Sequence, residues 1–199
     1  MPHPATAPSE RGEDVPSPGV PAPVADWSEQ VRALSDRALL GELVDRYMAT
    51  LDRGVFDDDW AGSLFTEDVH LVFPVGSHRG VAGAAEFTRE IMERWERTHH
   101  HASGCVIASD GDLASVGWSL IASHVHFDSP PPPATSRYFQ LGGRFDGTAR
   151  RTPDGWRFES LKLRIVWTTG AVPPSVTSID AKTIDAHGTD GSTPERKAE

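Results

Sequence analysis

Five histidines and one aspartate carry most of the chemistry that can be read in this chain. Thr98-His99-His100-His101-Ala102-Ser103-Gly104 sets three imidazoles at the mouth of a strand-like run. Neighbours on a strand face opposite ways, so His100 looks to one side of a sheet and His99 and His101 to the other. His124 and His126 lie in the next strand-like run, and Asp52 closes the main helical pattern upstream. Histidine titrates near pH 6.5 and moves protons readily at neutrality. Asp52, His100 and His124 therefore form a candidate set for general acid–base work, with one imidazole taken into the cavity of a concave sheet.

Plainer roles compete for the same residues. An aspartate after a helix is ordinarily a turn or surface group, consecutive histidines often mark an exposed strand end, and Arg144 has Asp146 close by as a salt-bridge partner. Metal binding is the sharper rival: His99 and His101, like His124 and His126, share a face about 7 Å apart, which suits ligation. No glutamate follows His126 at a useful distance, and no metal is expected. Cys105 sits in the apolar run Ser103-Gly104-Cys105-Val106-Ile107, where a free thiol packs as a small hydrophobe.

These groups must be held by elements whose patterns are clear. From Trp27 to Arg53, Leu39, Leu40, Leu43, Val44, Tyr47, Met48 and Leu51 recur at helical spacing, with Ser35 and Asp36 as candidate caps of a second segment and Gly54 as the stop. Asp57 to Asp59 open a short helix through Trp60 and Leu64, where acidic groups suit the positive helix end. Val69 to Phe73 reads as a strand, and Val81 to Arg97 as a helix with Ala84, Phe87, Ile91 and Trp95 on one side. Four strand-like runs follow, 99–109, 113–127, 137–151 and 156–167, with Asp110-Gly111-Asp112 and Pro153-Asp154-Gly155 as hairpin turns. Pro130–Pro133 must stand outside the sheet as a stiff rim or lid.

Helices first and strands after predict an α+β fold, with helices packed on one face of a strongly curved, mainly antiparallel mixed sheet. The interior of such a cone would draw its lining from Tyr47, Trp60, Phe73, Trp118, Phe145 and Trp167, partly as core and partly as the wall of an apolar pocket. Residues 1–26 and 173–199 read as disordered arm and tail, leaving 27–172 for the domain. The net charge of −10 argues against nucleic acid, whose phosphates need a basic footprint. No apolar run reaches the roughly 20 residues of a membrane span. The amino-terminal arm lacks the apolar centre of a secretory signal, and one cysteine forms no internal disulfide framework. A cytoplasmic protein is the expectation.

The order of elements resembles the nuclear-transport-factor-like superfamily, especially its SnoaL-like polyketide cyclases and scytalone dehydratase. The likeness rests on Tyr47-x4-Asp52, Leu64-Phe65-Thr66-Glu67-Asp68-Val69, the step from Gly80 into a helix, and the His99–Gly104 strand. It also rests on Asp110-Gly111-Asp112-Leu113-Ala114, Gly142-Gly143-Arg144-Phe145, Asp154-Gly155-Trp156-Arg157-Phe158 and Leu161 to Trp167. It runs from about residue 36 to 169 and leaves both ends out.

The resemblance implies a cone-shaped α+β barrel, paired as a homodimer through the outer sheet face, and cofactor-free acid–base work on a small, mostly apolar molecule. It implies an aspartate at the end of the first long helix that orients one histidine, with a second histidine assisting. Asp52 and His100 match by position, and the second falls at His124 or His126, with His124 preferred. The chain departs from scytalone dehydratase in having Leu51 and Phe73 near its tyrosine positions and Arg144 near its late polar pair, which points to a sibling reaction.

Within that frame, a contact from Asp52 would make His124 the stronger base and leave His100 as acid or hydrogen-bond donor. Arg144 would hold a substrate carboxylate, enolate or phenolate. Tyr47, Trp60, Phe73, Trp118, His126 and Trp167 would complete the binding surface. A non-catalytic ligand-binding or dimerisation module of the same fold is the alternative, because fold alone does not choose between them.

Overall fold

Three helices lie against a six-stranded sheet that curls without closing. The computed structural model describes residues 27–127 and 137–172. The predicted arm, the Pro130–Pro133 rim and the predicted tail fall outside the described residues. The elements are α1 (Trp27–Arg53), α2 (Asp58–Leu64), β1 (Phe65–Phe73), β2 (Gly76–Arg79), α3 (Ala84–Met92), β3 (Arg97–Asp110), β4 (Leu113–Val125), β5 (Tyr138–Thr152) and β6 (Gly155–Thr169). Their order in the sheet is β2-β1-β6-β5-β4-β3, with β1 and β6 parallel and every other pair antiparallel.

The long strands curl because their registers slip. Shifts occur in β3 between Ser103 and Val106, and between β5 and β6 at Gly142/Gly143 and Thr148/Ala149. Each extra residue bends its strand and adds twist. β5 and β6 also approach closely there: a Cβ on Gly147 would lie 2.1 Å from the Ser160 carbonyl oxygen. The concave face buries Trp118, Leu120, Phe145, Phe158 and Leu161 against the α1 stripe of Leu40, Leu43, Val44, Tyr47, Met48 and Leu51. Side chains of this size gain roughly 1.5–3 kcal/mol each from full burial, so this layer dominates the stability of the domain.

Four expectations change in detail. α1 is one helix, and Asp36 is no cap; it is buried within it, 2.6 Å from Arg151 and bonded to Trp156 Nε1. The Arg151 guanidinium also lies over the Trp156 ring at 4.4 Å. The helix predicted over 81–97 is shorter, because Glu96 N bonds to Val125 O at 2.8 Å and draws the chain into the sheet. β1 begins at Phe65, ahead of the predicted Val69. β2 was not legible, since Gly76-Ser77-His78-Arg79 has no apolar alternation and is defined by pairing with β1.

Candidate active site

α1 ends beside β3, the last strand of the sheet, and Gly54 takes φ 69° where the helix stops. An acidic group in a final helical turn opposes the helix dipole; here Asp52 is engaged by the neighbouring strand. Its Oδ1 lies 2.7 Å from His100 Nδ1 and accepts from Thr98 Oγ1 at 3.0 Å, while Oδ2 accepts the His100 backbone N–H at 2.9 Å. Burial by itself raises the Asp52 carboxyl, but the His100 ring, backbone N–H and charge, with Thr98, outweigh it and hold the group below its usual range. A carboxylate accepting at Nδ1 places the proton there and leaves Nε2 with a free lone pair.

His100 is almost fully buried, with 6% of its side chain exposed, and it lines a cavity inside the cone. The cavity measures about 820 Å³, counting the part open to solvent. Its walls come from α1 (Tyr47, Leu51), the end of β1 and the turn after it (Phe73, Pro74, Val75), α3 (Thr88, Ile91, Met92), the α3–β3 link, and the inner faces of β4, β5 and β6. Almost all of them are apolar.

His124 lines the same cavity, its ring centroid 5.6 Å from that of His100 and perpendicular to it. Trp95 packs over it at 4.5 Å and Phe139 at 5.7 Å. Desolvation, reinforced by the neighbouring His100, pushes its pKa down to about 4. Its Nδ1 is buried with no hydrogen-bond partner among the described residues. The expected contact from Asp52 to His124 is therefore corrected: the carboxylate holds His100, and His124 is the neutral member of the pair.

Of the other candidates, Tyr47 and Phe73 reach the cavity. Tyr47 is buried among Phe65, Phe145 and Phe158, and desolvation raises its phenol far above the ordinary value. Trp60 and Trp118 are core residues away from the cavity wall. The first bonds Thr50 Oγ1 at 2.9 Å, and the second stacks on Phe145 at 4.8 Å. His126 faces the same way as His124 but lies beyond the lining, where its Nε2 donates to Ala171 O at 2.7 Å. Arg144 bonds Asp146 at 3.0 Å, its plainer role, and lies away from the lining. Trp167 is on the outer face, over Gly142, with 44% of its surface exposed. The anion-binding role expected of Arg144 and the binding roles expected of Trp60, Trp118, His126 and Trp167 are thus not supported by position.

Three contributors went unread. Thr98 sits two residues before His100, and strand alternation puts both on one face, so its signal was present. Trp95 buttresses His124, and Arg94 lines the cavity; both were hidden inside a helix drawn too long. His99 and His101 are exposed on the outer face, and among the described residues no three His, Cys, Asp or Glu side chains converge to hold a metal ion. Cys105 packs against the core, and burial raises its thiol. No helix among the described residues is long and apolar enough to cross a membrane.

A sequence model of the SnoaL-like domain matches residues 32–162. No curated protein matches the chain significantly. Among solved structures, the Kfla4162 protein of Kribbella flavida is 26% identical with a TM-score of 0.62, over 69% of this chain and 95% of that one. A candidate scytalone dehydratase of Novosphingobium aromaticivorans is 21% identical with a TM-score of 0.62, over 72% and 92%. A nuclear transport factor 2-like protein of Salmonella enterica is 18% identical with a TM-score of 0.54, over 75% and 97%.

Proposed function

This chain belongs to the SnoaL-like domain family, and from that premise we propose that it is an acid–base enzyme, needing no cofactor, that acts on a hydrophobic polyketide-type or aromatic small molecule. The observation that carries the proposal is the Asp52–His100 pair at 2.7 Å, with the imidazole forming part of the wall of an apolar cavity. His100 Nε2 takes a proton from a carbon beside a carbonyl, and the imidazolium that forms is stabilised by the adjoining Asp52 carboxylate. Charge moves to the carbonyl oxygen, and neutral His124 supplies an N–H there. Return of the proton to another carbon gives isomerisation. Attack of the carbanion on a second carbonyl, whose oxygen then takes the proton back from His100, gives ring closure, and expulsion of a β-hydroxyl, protonated by His100, gives dehydration.

The test is exchange and turnover on candidate polyketide-type ketones, read by mass spectrometry in D2O. The wild type should wash deuterium into the position beside the carbonyl, and His100→Ala should not. Equal rates for both proteins remove His100 from the mechanism. Ligand binding without exchange in the wild type favours a binding module instead. The proposal includes a cytoplasmic homodimer paired through the outer sheet face, supported by Ile121, Tyr138 and Trp167, which lie exposed there.

A further inference from the structure

Arg94 lies on the short link between α3 and β3, half-buried, with its side chain in the wall of the cavity. Among the described lining residues it is the only one with a permanent charge. Among the described residues it makes no ion pair and no side-chain hydrogen bond, whereas Arg89, Arg137, Arg144, Arg150, Arg151 and Arg157 all have partners. Neither carboxylate of the link pairs with it: the adjacent, exposed Glu93 forms no ion pair with it, and Glu96 bonds Arg137 at 2.7 Å and lies 3.4 Å from Arg97.

The link itself is held on the far side of Arg94. Trp95 N bonds to Met92 O at 3.2 Å and Glu96 N to Val125 O at 2.8 Å. The Trp95 ring stacks on Phe139 at 5.4 Å with the planes 9° apart. The backbone of Arg94 is thus fixed at the edge of the cavity. A half-buried cation at the edge of apolar walls attracts an anion more strongly than one free in water.

We propose that Arg94 is the anion-binding group of this cavity and that the substrate is a small, largely apolar carboxylate. The planar guanidinium matches a carboxylate through two parallel hydrogen bonds. One cation balances one carboxylate, whereas a phosphate dianion would enter undercompensated between hydrocarbon walls. The inference rests on the acid–base proposal for the word substrate, and it assigns to Arg94 the role the sequence had given Arg144. The carboxylate anchors the molecule so that a carbon elsewhere on it faces His100.

The experiment measures binding by calorimetry for two matched pairs, benzoate with benzamide and 1-naphthoate with 1-naphthamide, on the full chain near pH 7. The wild type should prefer a carboxylate over its amide by about tenfold or more, the discrimination that charged hydrogen bonds supply. Arg94→Gln should abolish that preference while keeping the affinity for the amide, which shows the cavity intact. Arg94→Lys, retaining charge without the fork, should recover part of it and serves if the glutamine variant fails to fold. Equal affinity within each pair in the wild type, preference retained in Arg94→Gln, or no binding by either pair overturns the proposal. The readout needs no turnover, so failure here and failure of His100 as a base are seen separately.

Discussion

Asp52 grips His100 twice, through the ring Nδ1 at 2.7 Å and through the backbone N–H at 2.9 Å. The two bonds run from one carboxylate, so side-chain tautomer and strand position are set together. A loose imidazole would sample both tautomers and several rotamers; this one offers a single nitrogen to the cavity.

Removing either partner should therefore be felt in rate more than in fold. His100→Gln is expected to lower kcat by about 10²–10⁴, the usual worth of a positioned general base. Asp52→Asn keeps an acceptor oxygen but loses the charge that stabilises an imidazolium, and should show a smaller loss with KM little changed. Steady-state kinetics on the substrate found by the exchange screen measure both, with melting temperatures as the control. Full activity in Asp52→Asn would reduce the aspartate to a structural tie.

Acid should destabilise the domain through His124. Its pKa falls from 6.5 to about 4 on folding, chiefly from desolvation. Between those values the unfolded chain binds the proton and the native one does not, so stability is complete above pH 6.5 and declines as the pH drops toward 4. The loss approaches roughly 3 kcal/mol. Asp52, held below its ordinary 3.8, contributes stability that is present above that value and fades as the pH falls further. Urea titrations across this range should show the decline in the wild type and a flatter profile in His124→Phe. An NMR midpoint for His124 near 6.5 would contradict the assignment.

Two glycines should respond oppositely to alanine. Gly41, within α1, has nothing within 4 Å of the position a Cβ would take, so Gly41→Ala should stabilise by about 0.5–1 kcal/mol through helix propensity. Gly147→Ala would drive a methyl into the Ser160 carbonyl, where the neighbour is backbone and cannot swing aside. A loss of about 1–3 kcal/mol is expected. Denaturant midpoints of the two variants decide both signs.

The outer sheet face should pair two copies. His101, Ile121, Gly142 and Trp167 are register neighbours across β3, β4, β5 and β6. Ile121→Arg combined with Trp167→Glu should convert a dimer into a monomer in sedimentation velocity while leaving the circular dichroism unchanged. A wild type that sediments as a monomer removes the homodimer from the proposal.

Much of this was legible beforehand because hydrophobic periodicity and strand alternation are local signals. The α1 stripe, the hairpin turns and the inward aim of His100 follow from spacings of two to four residues. Contacts set by the path of the sheet left no such trace. Which histidine meets Asp52 depends on β3 being the edge strand beside α1, and that order comes from β1 inserting next to β6. Trp95 and Arg94 fitted a helical pattern, and only the pairing of Glu96 with Val125 shows that the helix has ended. Arg144 is the opposite case: alternation with the inward Phe145 already puts it on the other face of β5, so its place outside the lining was legible.

β3 is the last strand of its sheet, and an unpaired rim of this kind invites a foreign strand to zip on and start aggregation. The His100 amide is one of the groups such an intruder would need, and Asp52 already occupies it. One carboxylate therefore serves as guard of the edge as well as partner to the imidazole, so a chain without the proposed chemistry would still have cause to keep an acceptor at that position.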